Sequence, residues 1–201
     1  MSNKWQVRSD ALWNKILIRF LPQSISPNNF TIIRLALIPL LAYFLFHENY
    51  LGAVYLFILA LLTDGIDGAL SRLRHQTSKL GSILDGIADK LLILTLALFA
   101  ITQYQYSYLI IILISIDVAL LLGSGLARII YPLHTVYKAN RYGKAKMVLQ
   151  GLGLSLILID AIFKLTIFNW IATVILILAI ISGVISFFKY AQNIIKTGNK
   201  N

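Results

Sequence analysis

Long apolar stretches separated by short polar connections account for most of the chain. A helix needs about 20 mostly apolar residues to cross a hydrocarbon core of ~30 Å. Six stretches are apolar enough and close to this length: 28–46, 51–70, 80–101, 108–131, 146–163 and 168–191. The pattern predicts an all-α, polytopic membrane protein with six transmembrane helices.

The segment before the first span has a different periodicity. Its large apolar side chains recur at helical spacing, and they are Trp5, Leu12, Trp13, Ile16, Leu17 and Phe20. Lys15 and Arg19 fall on other faces, which favours an N-terminal amphipathic helix lying in the membrane interface. A helix that caps the bundle is also compatible with this pattern. We expect three parts: the interfacial segment 1–27, one six-helix domain 28–192 and a cytoplasmic tail 193–201.

Basic residues are concentrated on one side of the predicted bundle. Six spans place both termini, the loop between spans two and three and the loop between spans four and five on that side. It carries Lys4, Arg8, Lys15, Arg19, Arg72, Arg74, Lys79, Lys138, Arg141, Lys144, Lys189, Lys196 and Lys200, whereas the loops on the other side carry Lys164. Because cytoplasmic loops are enriched in Lys and Arg, we expect both termini to be cytoplasmic. Anionic membrane lipids then explain the net charge of +10 without nucleic acid as a partner.

Composition narrows the possible chemistry. Hydrophobic residues make up 58% of the chain and charged residues only 13%, well below the roughly one quarter typical of soluble domains. The chain has no cysteine and only three scattered histidines, so thiolate chemistry is excluded and a histidine-built zinc site is disfavoured. A metal would need oxygen ligands, as magnesium, manganese and calcium do.

Four of the eight acidic residues lie close together in the second and third spans: Asp64, Asp67, Asp85 and Asp89. A charge inside a spanning helix costs ~2.5–3.5 kcal/mol on insertion scales, so a group of four needs compensation. Asp64 and Asp67 share one helix face, Asp85 and Asp89 share another, and the connecting turn brings both to one membrane side. This arrangement predicts a two-metal site, in which paired ions hold the attacking and leaving oxygens of a phosphoryl transfer.

Two alternatives for these aspartates stay open. They could form a cation or proton pathway, or pair with Lys90, Arg72 and Arg34. A transporter would usually show repeated halves and interrupted helices near the midplane, and the sequence shows neither. For Arg34 itself, pairing with an aspartate and contact with a ligand are both compatible with the sequence.

The segment Asp64-x2-Asp67-Gly68-x2-Ser71-Arg72-x8-Gly81-x3-Asp85-x3-Asp89 resembles the signature of the CDP-alcohol phosphatidyltransferases. Ser71 stands where the family usually has alanine. A second segment, Pro27-Asn28-x2-Thr31-x2-Arg34, is similar to the start of the first span in that family. The resemblance extends over nearly the whole chain.

The resemblance implies a six-helix homodimer that binds CDP-diacylglycerol at the cytosolic interface. It implies that the four aspartates surround two Mg²⁺ or Mn²⁺ ions and that Asp89 is also the general base. The alternative for Asp89 is a metal ligand without a base role. By the same resemblance, the CDP pocket would contain Asn28, Thr31, Gly68, Ser71, Arg72 and Gly81.

The acceptor alcohol is less determined. A basic region suits an acceptor carrying a phosphate, and it consists of Arg128, Lys138, Arg141 and Lys144. The positive-inside rule alone also predicts basic residues there. The segment from Gly143 to Gln150 resembles phosphatidylglycerophosphate synthases and related cardiolipin synthases, with Met147 replacing the usual threonine. Synthases of this kind commonly carry an arginine where this chain has Ile116. The next residue, Asp117, is expected to pair with Arg128.

The sequence therefore predicts an enzyme that transfers a phosphatidyl group from CDP-diacylglycerol to an alcohol and releases CMP. Glycerol-3-phosphate is the leading acceptor, with phosphatidylglycerol (giving cardiolipin) and inositol phosphate as alternatives. We expect a bacterial plasma membrane location, because no transit peptide is evident. A non-enzymatic ion transporter is the competing class, and a catalytically silent scaffold is disfavoured because every metal-site aspartate is present.

Overall fold

A computed structural model describes Pro22 and residues 26–74, 79–103, 107–130 and 141–198, with backbone alone at 79, 103, 124–130 and 193–198. Every regular element in these ranges is an α-helix. The helices are α1 (Pro27–Phe46), α2 (Tyr50–Leu73), α3 (Lys79–Gln103), α4 (Ser107–Ile130), α5 (Arg141–Phe163) and α6 (Thr166–Gly198). The predicted all-α fold is confirmed. The predicted N-terminal amphipathic helix lies outside the described residues.

Within the described ranges, four helices are long and apolar enough to cross a membrane: α1, α2, α5 and the part of α6 from Thr166 to Gln192. In α3, charged residues interrupt the apolar run, and in α4 the apolar stretch Ser107–Gly123 is shorter. Large apolar side chains such as Tyr43, Tyr55 and Val174 are more than half exposed, as helices solvated by lipid require. The chain is an integral membrane protein, and the count of six spans stays a prediction.

Helix limits differ from the predicted spans where polar residues adjoin an apolar run. α5 begins at Arg141, five residues before the predicted span, and α6 continues to Gly198, seven residues beyond it. Hydropathy locates the part of a helix that lipid can solvate, but backbone hydrogen bonding continues into polar residues that meet no helix breaker. The helices therefore extend beyond the predicted spans, and the span limits at 146 and 191 stay predictions.

The first of two compact units, Met1–Thr95, contains α1, α2 and the beginning of α3. α1 packs against α2 after a short turn, in which Glu48 has a φ of 56° and the Asn49 side chain accepts a hydrogen bond from the Gly52 amide at 3.0 Å. A Cβ on Gly52 would lie 2.3 Å from the Phe44 ring, so this close approach requires glycine. The turn aligns the two helices along their lengths.

The second unit, Leu96–Asn201, contains the end of α3 and helices α4 to α6. α5 and α6 form a helical hairpin through Lys164, whose φ is 53° and whose amide donates to the Asp160 carbonyl oxygen at 2.7 Å. Their backbones approach closely at Gly153, where a Cβ would lie 2.7 Å from the Leu176 side chain. α4 also packs on α6, and the Tyr190 hydroxyl donates to the Gly123 carbonyl oxygen at 3.3 Å.

Candidate metal and substrate site

Four carboxylates from two helices meet in the first unit, and we call them the aspartate cluster: Asp64, Asp67, Asp85 and Asp89. Asp64 and Asp67 lie one turn apart near the end of α2, and Asp85 and Asp89 lie one turn apart near the start of α3. One oxygen each from Asp64, Asp85 and Asp89 lies within 4.8 Å of the others. The juxtaposition that the i, i+3 and i, i+4 spacings predict is therefore present.

Arg34 of α1 lies at the centre of the aspartate cluster and is completely buried. Its Nη1 donates to Oδ1 of both Asp85 and Asp89 at 2.8 Å. Its Nη2 lies 2.9 Å from Asp64 Oδ1 and 3.8 Å from Asp67 Oδ2. Arg34 thus pairs with all four aspartates, which settles the pairing that the sequence left open.

Asp67 has a second contact that distinguishes it from the rest of the cluster. It is 8% exposed, and its Oδ2 accepts a hydrogen bond from the Thr31 hydroxyl at 2.5 Å. Thr31 and Arg34 are three residues apart on α1 and so share one helix face. One face of α1 therefore supplies both a neutral donor and a cation to the carboxylates of α2 and α3.

The donor set suits a hard divalent cation. The aspartate cluster has four carboxylates and one guanidinium, so a formal charge of three negative units remains when all are ionised. Mg²⁺ and Mn²⁺ prefer carboxylate oxygens, and at ~2.1 Å from Mg²⁺ two opposite ligands are ~4.2 Å apart. Adjacent ligands of an octahedral ion are only ~3.0 Å apart, so the oxygens of Asp64, Asp85 and Asp89, which lie within 4.8 Å of one another, must move closer together to bind one ion. These three residues could hold a metal ion.

The remaining residues of the signature surround the same helix ends. Asn28 is half-buried in the first turn of α1, and Ser71 and Gly81 lie half-buried and buried on α2 and α3. A Cβ on Gly68 would lie 3.2 Å from Arg72 Nη1, so a larger residue would press on an exposed arginine. Contacts between these residues and a nucleotide stay a prediction.

The predicted acceptor residues belong to the second unit. Arg141 and Lys144 are exposed in the first turn of α5. Close by, Lys189 Nζ of α6 lies 4.2 Å from the centre of the Tyr142 ring. Lys138 and the side chain of Arg128 lie outside the described part of the chain.

A buried polar group ties α4 to α5 in the second unit. Lys146 is 1% exposed and forms an ion pair with Asp117, and the Gln150 side chain donates to Asp117 at 3.1 Å. Gly183 of α6 leaves space for the Lys146 stem, since a Cβ there would lie 3.2 Å from Lys146 Cδ. Among the described side chains, the partners of Asp117 are thus Lys146 and Gln150. The expected pairing with Arg128 stays a prediction, because the Arg128 side chain lies outside the described part of the chain.

The sequence did not determine the partners of two polar pairs in these sites, although it contained a signal for each pair. Thr31 and Arg34 recur at i, i+3 on one face of α1, and Lys146 and Gln150 recur at i, i+4 on one face of α5. Polar pairs at helical spacing inside apolar helices indicate a buried polar partner. The sequence does not tell which helix supplies that partner.

The described residues define a class of protein: a helical membrane protein in which four aspartates surround one buried arginine. The family model described as CDP-alcohol phosphatidyltransferase matches residues 24–185. The chain belongs to this family, which confirms the resemblance seen in the sequence.

Named relatives match over shorter stretches. A CDP-diacylglycerol–glycerol-3-phosphate 3-phosphatidyltransferase of Aquifex aeolicus is 42% identical over 64 residues, covering 32% of this chain and 36% of the relative. A protein of the same name from Cereibacter sphaeroides is 45% identical over 82 residues, covering 39% of this chain and 37% of the relative. The CMP-forming cardiolipin synthase of Homo sapiens is 44% identical over 68 residues, covering 33% of this chain and 23% of the relative. The matches span about a third or less of the length of these relatives.

Proposed function

We propose that the protein transfers a phosphatidyl group from CDP-diacylglycerol to an alcohol and releases CMP, with Mg²⁺ or Mn²⁺ as cofactor and two ions in the site. One observation carries the proposal: three carboxylate oxygens converge within 4.8 Å in a chain of this family. The names of the relatives support the donor and the reaction class.

The chemistry is a displacement at the phosphorus that bears the lipid. The acceptor oxygen forms a new bond to that phosphorus, the bridging oxygen bond of the pyrophosphate breaks, and CMP leaves with the electron pair. Bound divalent cations neutralise the pyrophosphate and stabilise the leaving group. The CDP group is bound and oriented by the remaining residues of the signature and of the α1 segment: Asn28, Thr31, Gly68, Ser71, Arg72 and Gly81.

Asp89 takes the proton of the acceptor hydroxyl as the hydroxyl attacks. A carboxylate has two oxygens, and Arg34 contacts Oδ1 of Asp89. The second oxygen can accept a proton while the first binds Arg34 or the metal. A general base must lie within hydrogen-bond reach of the proton that it takes, so the acceptor hydroxyl binds next to Asp89.

Glycerol-3-phosphate is the proposed acceptor. Two relatives named for this acceptor are among the matches. The exposed Arg141 and Lys144 are available to bind a phosphate, and Arg128 and Lys138 belong to the same proposed region. The second candidate is phosphatidylglycerol, which would give cardiolipin, and the match to the human cardiolipin synthase favours it. Inositol phosphate is the third.

The finer architecture belongs to the same proposal. We propose one domain, 28–192, with six spans, preceded by an interfacial segment 1–27 and followed by a tail 193–201. The protein forms a homodimer in a bacterial plasma membrane, with both termini and the aspartate cluster on the cytoplasmic side. Basic loops on that side support this orientation.

A panel of acceptors tests the reaction. Purified protein is incubated with CDP-diacylglycerol, Mg²⁺ or Mn²⁺ and each of glycerol-3-phosphate, phosphatidylglycerol, inositol phosphate and serine, and the lipid product is identified by mass. We expect phosphatidylglycerophosphate with glycerol-3-phosphate. A product from another alcohol alone would reassign the acceptor. A transporter that used the same aspartates would release no CMP in any arm.

A further inference from the structure

Arg34 occupies the position that the proposed function assigns to a divalent cation. It is fully buried, and it contacts carboxylates from both α2 and α3. Several carboxylates close together repel one another unless a cation lies between them. Before a metal binds, the positive charge inside the aspartate cluster therefore comes from Arg34.

We propose that Arg34 is an internal counter-cation, a positioning residue that holds the aspartate cluster together before metal binds and competes with the metal for the same oxygens. The inference rests on the proposed metal site. It adds that the chain folds with its own cation in place and that metal affinity is set by this competition.

The contacts of Arg34 coincide with the candidate donor group. Its two terminal nitrogens contact Asp64, Asp85 and Asp89 at 2.8–2.9 Å. The same three carboxylates supply the oxygens that lie within 4.8 Å of one another. A cation that binds these oxygens must share or replace those contacts. Two positive charges so close repel each other, and this repulsion lowers the affinity for the metal.

The other contacts of Arg34 do little to hold it in place. Its hydrogen bonds run to Asp85 and Asp89. Its Nε is buried and has no hydrogen-bond partner among the described residues. Because the guanidinium is held by the carboxylates, it is released to the extent that a metal takes their oxygens. Among the described residues, exchange between the arginine and the metal therefore breaks only the contacts of Arg34 with the aspartate cluster.

The test compares Arg34→Met with the matched control Arg74→Met. Arg74 lies in the same unit and donates to the Pro22 carbonyl oxygen at 3.2 Å. Two properties are measured in detergent: Mn²⁺ affinity, from the paramagnetic resonance signal of free Mn²⁺, and the melting temperature Tm in EDTA and in saturating Mn²⁺. Neither measurement depends on activity.

For Arg34→Met we expect Mn²⁺ to bind about tenfold more tightly. Its Tm in EDTA should fall by several degrees, because four neighbouring carboxylates, of which Asp67 is buried, have lost their counter-cation. Saturating Mn²⁺ should remove most of that loss. Arg74→Met should leave the Mn²⁺ affinity unchanged. General damage to the fold would weaken metal binding, so tighter binding identifies competition.

Unchanged or weaker Mn²⁺ binding by Arg34→Met would overturn the inference while leaving the metal site intact. If this variant cannot be purified even with Mn²⁺ present, Arg34→Lys replaces it. A single ammonium cannot match the fork of the guanidinium, so Mn²⁺ should bind about threefold more tightly, and unchanged affinity would count against the inference. If the wild-type protein binds no Mn²⁺, the proposed metal site fails and this inference fails with it.

Discussion

At the scale of residues, the aspartate cluster depends on donors from α1. The Thr31 hydroxyl donates to Asp67, and Arg34 reaches all four carboxylates. Removing one partner of a buried polar contact leaves the other without compensation. Substitutions on this face of α1 should therefore affect the carboxylates of α2 and α3.

Thr31→Val should lower stability modestly. It removes the hydroxyl that satisfies Asp67 while preserving the shape of the side chain, which should cost about 1–2 kcal/mol and lower Tm in detergent by about 2–8 °C. Thr95→Val is the matched control, because the Thr95 hydroxyl donates to the Leu91 carbonyl oxygen of its own helix. Equal Tm values for the two variants would contradict the role given to Thr31.

Asp117→Asn should destabilise the second unit strongly. It leaves the buried Lys146 without its carboxylate. Because the Asp117 side chain is 40% exposed, the cost should be about 3 kcal/mol, the low end for breaking a buried pair. We expect Tm to fall by about 10 °C. The double variant Asp117→Leu, Lys146→Met removes both charges and should recover much of the loss. If the loss of stability in the double variant equals the sum of the losses in Asp117→Leu and Lys146→Met, the two residues are not coupled.

Sequence spacing predicted the aspartate cluster because intervals of three and four place two carboxylates on one face of each helix. It could not predict the contacts of Arg34 or Lys146 in the same way. Those depend on the rotation of α1 and α5 about their axes, which hydropathy does not determine. Asp117 illustrates this, because the sequence suggested Arg128 of its own helix as a partner and the structure adds Lys146 of the following helix.

At the scale of elements, small residues determine how closely neighbouring helices approach. Without a hydrophobic driving force between helices in lipid, close packing at small residues is a main source of association. Gly153 of α5 lies against Leu176 of α6, and Gly52 of α2 lies against Phe44 of α1. Each hairpin thus has one glycine that leaves space for a large side chain of the neighbouring helix.

Gly153→Val should separate α5 from α6. Even the first added carbon would lie 2.7 Å from Leu176 Cδ2 and 2.9 Å from its Cγ, and overpacking of this kind costs about 1–3 kcal/mol. We expect Tm to fall by several degrees. In Gly123→Ala the added carbon would meet Tyr190 Cε1 at an ordinary 3.6 Å, so this control should melt close to the wild-type temperature. Tolerance of Gly153→Val would argue against this packing.

The existence of the helices was predictable because the apolar runs are long. The positions of the helix ends were not predictable. Residues Arg141 to Ala145 belong to α5, and residues after Ala191 continue α6, although the spans predicted from the sequence leave both out. In α3, by contrast, the sequence predicts a span whose charged start the apolar criterion rejects. Asp85 and Asp89, which belong to the site, thus contribute to the charge that keeps α3 from meeting the apolar criterion.

At the scale of the whole molecule, the distribution of basic residues predicts the orientation in the membrane. The chain contains no cysteine, so single cysteines can report on each side. His47→Cys, between α1 and α2, should react with a membrane-impermeant maleimide in intact cells. Thr77→Cys, between α2 and α3, should react only after lysis. The reverse pattern would place the aspartate cluster on the outer face and contradict the proposed orientation.

The central claim is that the aspartate cluster carries metal-dependent phosphatidyl transfer, and the most direct test is CMP release from CDP-diacylglycerol by purified variants. Asp85→Asn and Asp89→Asn should each reduce the rate at least about a hundredfold, because losing even an outer-shell partner of a metal costs about ten- to hundredfold. EDTA should abolish the wild-type rate, and Mg²⁺ or Mn²⁺ should restore it. Asp160→Asn, a change to an α5 aspartate outside the cluster, should leave the rate near that of the wild type. Well-folded Asp85→Asn and Asp89→Asn proteins that release CMP at the wild-type rate would contradict the account.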